Sequence, residues 1–240
     1  MAGGSDVHEQ ILLMTRPRAA SNAFVARLNS SVLTSTQVVV APLIEIVPKG
    51  PCPSLAGFGG VIFTSANGVA AAPLGAGLPA YCVGARTADA ATQRGYTVKQ
   101  IAQDANDLVA RFDADKVRGP LIHLSGAHRR GEIAQRLTAL GVSVSVHVLY
   151  DQPLQPLPDE AKDIFAGEVP VILPLFSPRT AAHLARQRVV APRTTVIALS
   201  DAVAQPLPTQ CFASVEVAAY PTGKEMVQDV EKQLRRDSLS

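Results

Sequence analysis

The sequence predicts an α/β fold with largely parallel sheets, built as two similar units. Three observations carry this expectation. Short apolar runs alternate with amphipathic segments, three motif blocks recur in one order, and two proline-rich stretches follow strong strand signals.

The strand-like runs are ILLMT (11–15), QVVVAPLIEIV (37–47), GVIFT (60–64), AYCVG (80–84), LIHLS (121–125), SVSVHVLY (143–150), PVILPLF (170–176) and TTVIALS (194–200). Short apolar runs of this kind are the pattern of strands buried in a parallel sheet. Between many of them lie segments of helical spacing, such as Ala23, Phe24, Arg27 and Leu28. Another is Ile133, Leu137 and Leu140, closed by Gly141, a residue suited to the position just past a helix. Strands alternating with helices define the α/β class.

The repeat adds the second unit. Thr64-Ser65-Ala66 pairs with Phe176-Ser177-Pro178, an offset of 112 between the two serines. YCVGARTADA (81–90) pairs with VIALSDAVAQ (196–205), and DANDLVARF (104–112) with TGKEMVQDV (222–230), at offsets rising to about 118. The proline-rich stretches APLIEIVPKGPCPSL (41–55) and YDQPLQPLP (150–158) mark two crossings between the units. Proline there stops a helix and stiffens an extended chain. A chain that crosses twice builds one unit from both of its ends.

Bulk properties narrow the function. The 240 residues are 47% hydrophobic and 18% charged, ordinary for a globular chain of one or two domains. A net charge of +2 lacks the basic excess of a phosphate-backbone binder, so no nucleic acid partner is expected. Cys52, Cys82 and Cys211 form no CxxC pair, and no His/Cys cluster has zinc spacing. Reduced thiols and no bound metal follow. The opening MAGGSDVHEQ lacks a secretory pattern, and no apolar run approaches the roughly 18 residues of a membrane span. The expectation is a cytoplasmic protein with no membrane partner. A monomer is the default, since no apolar surface stripe is left over.

No nucleophile–base constellation is present: GxSxG, HExxH, GxxxxGK[ST] and GxGxxG are all missing. His123 lies in an apolar run and reads as a core residue, whereas His128 lies in the polar turn SGAHRRGE. Open α/β sheets bind ligands beyond the carboxyl ends of their strands. The turns there supply Ser65 and Asn67 (TSANG), Gly84, Arg86 and Thr87 (VGARTA), and Ser125, Gly126 and Arg130 (SGAHRRG). They also supply Ser177 and Arg179 (FSPRT), Ser200 (LSDA), and Thr15, Arg16 and Arg18 (MTRPR). Helix N-termini favour anions, and arginine adds forked recognition of carboxylates. The ordinary role of each Ser or Thr is a helix cap. Their joint placement at the mouths of both units implies a polyanion clamped between them.

Taken in order, these blocks resemble the uroporphyrinogen-III synthase family. The similar stretches are LLMTRP (12–17), VIFTSANGV (61–69), YCVGARTADAATQRGY (81–96), ANDLV (105–109) and RRGEIAQRLTALGVSVSVHVLY (129–150). They continue with PLFSPRTAAHL (174–184), VIALSDAVA (196–204) and AAYPTGKEMV (218–227). The resemblance implies two flavodoxin-like, Rossmann-like domains joined by a two-stranded linker. The first would comprise 1–42 with 151–240, the second 43–150, with linkers near 41–50 and 149–157. The implied substrate is hydroxymethylbilane, a linear tetrapyrrole with eight carboxylates, supplied by an upstream hydroxymethylbilane synthase. The implied reaction loses water and inverts ring D through a spiro intermediate, without cofactor or metal. Tyr150 matches the family's tyrosine at the end of the linker strand and is the candidate catalytic residue, a hydrogen-bond donor to the leaving hydroxyl.

Two departures stand out. Ser200 occupies the second repeat where the first has Gly84, and Gly131 replaces the acidic residue that many members carry directly after the arginine. The second leaves Arg129 and Arg130 both open as the ligand contact. The competing reading is a non-catalytic two-lobed protein that closes on a small polyanion. A glycosyl or nucleotide transferase would need an acidic cluster, and none is found.

Overall fold

β1 (Gln10–Met14) and β9 (Val171–Leu175) are buried along their whole length, as are β4 (Gly60–Phe63) and β7 (Leu121–Gly126). Residues of such strands find apolar neighbours on both sheet faces, which requires helices on both faces and hence parallel crossovers. The computed structural model describes residues 9–114, 119–128 and 132–237. It divides into unit 1, Met1–Glu45 with Pro153–Ser240, and unit 2, Ile46–Gln152.

In unit 1, β1 is followed by α1 (Arg18–Val25) and β2 (Thr36–Val40). After the chain returns come α6 (Asp159–Ala166), β9, α7 (Pro178–Arg186), β10 (Ala191–Ala198), α8 (Asp201–Ala204), β11 (Phe212–Val217) and α9 (Gly223–Asp237). The five strands are parallel, in the order β11-β10-β9-β1-β2. Numbered along the unit this is 2-1-3-4-5, the flavodoxin order. One face packs Ile11, Leu13, Leu173 and Leu175 beneath α6 and α7; the other packs Leu12, Met14 and Ile172 beneath α1 and α9.

Unit 2 opens with β3 (Val47–Pro48) and β4, then α2 (Ala66–Ala71), β5 (Pro79–Val83), α3 (Ala85–Gln93), β6 (Thr97–Ala102) and α4 (Ala105–Ala114). It closes with β7, α5 (Ile133–Ala139) and β8 (Val144–Asp151). The order is β3-β8-β7-β4-β5-β6, parallel except for the short β3 against β8. Setting β3 aside, this is 3-2-1-4-5, the order of a Rossmann sheet without its sixth strand.

The two orders are circular permutations of each other. Beginning unit 1 at β9 matches β4, β5, β6, β7 and β8 to β9, β10, β11, β1 and β2. The recurring motif blocks fall on matching elements. Ser65 and Ser177 are the N-caps after β4 and β9, and Gly84 and Ser200 those after β5 and β10. The third pair is a shared capping arrangement. Asp104 Oδ1 accepts the Asn106 and Asp107 amides at the head of α4, and Thr222 Oγ1 accepts the Glu225 amide at the head of α9.

The apolar pattern misses two strands, β6 and β11. Both are sheet edges with polar, partly exposed faces, TVKQIA and FASVEV, so their strand state comes from pairing with β5 and β10. The run 37–47 is also not one strand. Its ladder with β1 ends at Val40, and Val47–Pro48 pairs instead with Tyr150 and Asp151.

The unit 2 core has a sharp test. Phe63 is fully buried and packs edge-on against Tyr96, with ring centroids 5.0 Å apart. Phe63→Ala should cost about 3–5 kcal/mol, read as a lower urea midpoint.

Candidate functional site

In a doubly wound sheet, the crevice opens where neighbouring strands send their connections to opposite faces. In unit 2 those strands are β4 and β7. β4 leads into α2, whose Val69 packs with Phe63 and Leu124, while β7 leads into α5, whose Ile133 and Leu137 pack on the other face. In unit 1 the corresponding strands are β1 and β9.

The unit 2 crevice centres on a pair of hydroxyls. Ser65 Oγ lies 2.9 Å from Tyr150 Oη and accepts the Gly68 amide at 3.1 Å. Two O–H protons are available to this pair and one is used between the two oxygens. The other remains to be donated. Tyr150 is 4% exposed, and burial raises its phenol above the ordinary 10.0, against a smaller lowering by the Ser65 hydrogen bond. It therefore stays protonated at neutral pH and acts as a neutral donor.

Glycines make the room. A Cβ on Gly126 would lie 2.7 Å from Tyr150 Cε2 and Cζ and 3.0 Å from its Oη. A Cβ on Gly68 would lie 3.1 Å from the Leu124 carbonyl, so glycine lets α2 settle closely on β7. The Ala127 amide donates to the Tyr150 carbonyl at 2.8 Å, which joins the end of β7 to β8 beside the phenol.

In unit 1, Thr15 is 1% exposed, and its Oγ1 finds no partner among the described residues. The Arg16 guanidinium stacks 4.1 Å over the Phe176 ring, directly before Ser177. Ser177 heads α7 without a side-chain capping bond, with Pro178 in the first turn, and Arg179 follows half-buried.

The remaining candidates are distributed more widely. Gly84 heads α3 at φ 83°, a left-handed conformation that favours glycine, and Ser200 heads α8 in extended backbone at φ −164°. Arg86 is exposed, whereas Thr87 turns inward at 5% exposure. Asn67 is half-buried in the first turn of α2. Ser125 is 2% exposed, its Oγ without a partner among the described residues. Strand alternation turns it away from α2, because Leu124 packs in the cluster with Val69 and Tyr150. Arg129, Arg130 and Gly131 lie outside the described residues.

Two contacts have no local signal in the sequence. Phe176 platforms Arg16 from 160 residues away, and the repeat aligning Phe176 with Thr64 is the nearest hint of it. His128 Nε2 lies 3.6 Å from Asp151 Oδ1, in the turn that reads as polar. Among the described residues no group of three or more His, Cys, Asp or Glu side chains is placed to hold a metal, and no helix is long and apolar enough to cross a membrane.

Two doubly wound parallel sheets place this chain in the α/β class, whose members bind ligands at the switch points of their sheets. The uroporphyrinogen-III synthase HemD family pattern matches residues 33–228, and the chain belongs to that family, whose members are cyclising lyases of haem biosynthesis. The fold is similar to that of uroporphyrinogen-III synthetase from Helicobacter pylori 26695, at TM-score 0.64 and 15% identity over 94% of this chain and 99% of that one. It is also similar to a mutant uroporphyrinogen III synthase from the extremely thermophilic bacterium Thermus thermophilus, at TM-score 0.53 and 13% identity over 94% and 99%. No curated protein sequence matches at a significant level.

Alkaline pH tests the buried acids of unit 2. Burial pushes the Cys82 thiol from 9.0 to about 11 and the Tyr96 phenol from 10.0 to about 12, and it also raises Tyr150. Their folded-state values exceed the unfolded ones, so this stability is whole below about pH 9 and is lost as pH rises toward 11 and 12. Thermal melting between pH 8 and 11 should show a falling midpoint, and Cys82→Ala should flatten the early part of that fall.

Gly126→Ala tests the packing around the phenol. The ring must shift, opening the Ser65–Tyr150 contact beyond 3.5 Å in a crystal structure of the variant. Overpacking should cost about 1–3 kcal/mol in urea unfolding.

Proposed function

We propose that this chain cyclises hydroxymethylbilane to uroporphyrinogen III, with loss of water and inversion of ring D. Family membership over residues 33–228 is the observation that carries the reaction. The Ser65–Tyr150 pair supports the assignment of its chemistry to unit 2.

The hydroxyl on the ring A methylene departs as water, taking one proton and the C–O electron pair, while the pyrrole nitrogen delocalises the resulting cation. The substituted α-carbon of ring D attacks that methylene and forms the spiro intermediate. Its bond to the bridge from ring C then breaks, leaving a second cation on that bridge. Reclosure at the free α-carbon of ring D expels a proton, so the proton consumed at departure is returned. The substrate supplies the electronic drive, and the protein supplies orientation and a donor for the leaving oxygen.

Tyr150 is the candidate for that donor. Ser65 has one lone pair engaged by the Gly68 amide and can give its own proton to the phenol oxygen, which frees the Tyr150 O–H to point at the departing hydroxyl. A buried phenol is too weak an acid to hand its proton to the resting hydroxyl. It is suited to strengthening a hydrogen bond as negative charge builds on the oxygen. Thr15, Arg16, Asn67, Gly84, Arg86, Ser177, Arg179 and Ser200 stand at or near strand ends, where amides, hydroxyls and guanidiniums suit the eight carboxylates. Arg130 belongs to the same proposal from sequence alone. The reading extends to a monomer in the cytoplasm, fed by hydroxymethylbilane synthase and using no cofactor.

The test generates hydroxymethylbilane in situ, with and without the protein, and separates the oxidised porphyrin isomers. A shift from isomer I to isomer III is expected. Tyr150→Phe should lower kcat by about 10²-fold, the scale of a lost proton-handling contact. Unchanged isomer I from folded wild-type protein would replace the enzymatic reading with that of a polyanion-binding module.

A further inference from the structure

We propose that a cavity of about 220 Å³ in unit 1, between α6 and the turn from α7 into β10, binds a small amphipathic monoanion, one aromatic ring or short alkyl chain bearing a single carboxylate. The cavity lies beside the amino end of β10, whereas the candidate site lies at carboxyl ends of strands, and the proposal does not depend on the synthase reading.

Leu157 and Phe165 give it a buried floor, at 3% and 2% exposure, and Val189 and Val190 continue the apolar wall. A lone exposed valine is ordinary on a protein surface. Val190, 67% exposed, instead extends a cavity whose inner side chains are buried. The volume selects the guest. Pockets for drug-sized ligands begin at about 300 Å³, and an apolar cavity of about 150 Å³ holds a benzene. A cavity between these limits takes a benzene-sized body with a short arm and excludes a tetrapyrrole.

The charges select the arm. Lys162 and Arg188 both line the cavity, and among the described residues no carboxylate does. Lys162 Nζ lies 2.7 Å from Asp159 Oδ1 in a solvent-exposed pair, weak enough for a ligand carboxylate to replace Asp159. The Arg188 guanidinium makes no hydrogen bond or ion pair among the described residues, and its planar fork matches a carboxylate.

Arg188 also stands where arginine is unfavourable. It follows Gln187, the C-cap of α7, at φ 53°. Glycine is the usual residue at this left-handed position, because a Cβ strains it. A cation near a helix C-terminus is itself favourable, so ligand binding and helix stability have to be separated by experiment.

The walls are fixed before a ligand arrives. Gln187 Oε1 accepts the Leu157 amide at 2.7 Å, and His183 Nε2 donates to the Gln155 carbonyl at 2.7 Å. These bonds hold the segment entering α6 on the last turns of α7, and a preformed cavity loses little ordering entropy on binding.

The probe is phenylpropionate, with its neutral carboxamide as control, titrated into the isotope-labelled full chain and followed by NMR. Backbone shifts should centre on Lys162 and residues 187–190, with a Kd of about 1 mM or tighter. The neutral control should bind about tenfold more weakly. Arg188→Gly should lose about the same factor while Tm holds or rises, since glycine relieves the strain. Arg188→Lys, which keeps the charge without the fork, should fall between the two. Val190→Asp, at an exposed position, should abolish binding and leave Tm unchanged. The proposal is overturned if the shifts centre on the turns of Ser65 or Ser177, if acid and carboxamide bind equally, or if Arg188→Gly binds as the wild type does. Absence of any shift at about 10 mM probe overturns it as well. Should Arg188→Gly lower Tm along with binding, Val190→Asp decides alone.

Discussion

Burial of the central strands on both faces is the constraint from which the rest of the structure follows. β1, β4, β7 and β9 have no side for water, so polar groups that must meet a ligand are confined to the strand ends. Each strand then hands its chain to a helix at its carboxyl end, whose N-terminus brings amides to the same place, and after β4 and β9 the N-cap residue is a serine. Buried sheet, helix start and candidate site are one arrangement.

The permuted repeat uses this arrangement twice with different side chains. In unit 2 the capping serine is drawn into a pair with a buried phenol, and Gly126 leaves that ring its space. In unit 1 the equivalent serine makes no side-chain capping bond, and the buried Thr15 hydroxyl just past β1 has no partner among the described residues. Equivalent N-cap serines thus have different surroundings: a buried, neutral phenol beside Ser65, and no side-chain capping bond at Ser177.

Legibility followed the range of the interaction. The interior strands were visible because their apolar runs are contiguous, and the Ser65 cap because it immediately precedes its helix, whereas Ser177 holds the same position without a side-chain capping bond. The edge strands β6 and β11 were not, since polar side chains half-exposed at an edge look like loop until a neighbour is supplied. Within the candidate site, Gly126 could be noticed as a small residue in a turn, but its contact with a tyrosine 24 positions away has no local signature. Thr87 shows the converse. It reads as a turn hydroxyl, and the packing of α3 carries it inward.

By itself the sequence determined the α/β class, the repeat, the helix starts and the absence of the common catalytic motifs, because each depends on composition or on spacing within a few residues. Tertiary structure decided which of those residues meet. Ser65 and Tyr150 are 85 positions apart, and Arg16 and Phe176 are 160 apart. Such pairs are set by strand order and sheet face, and these arise from the joint burial of strands distant along the chain. No stretch of sequence contains that information locally.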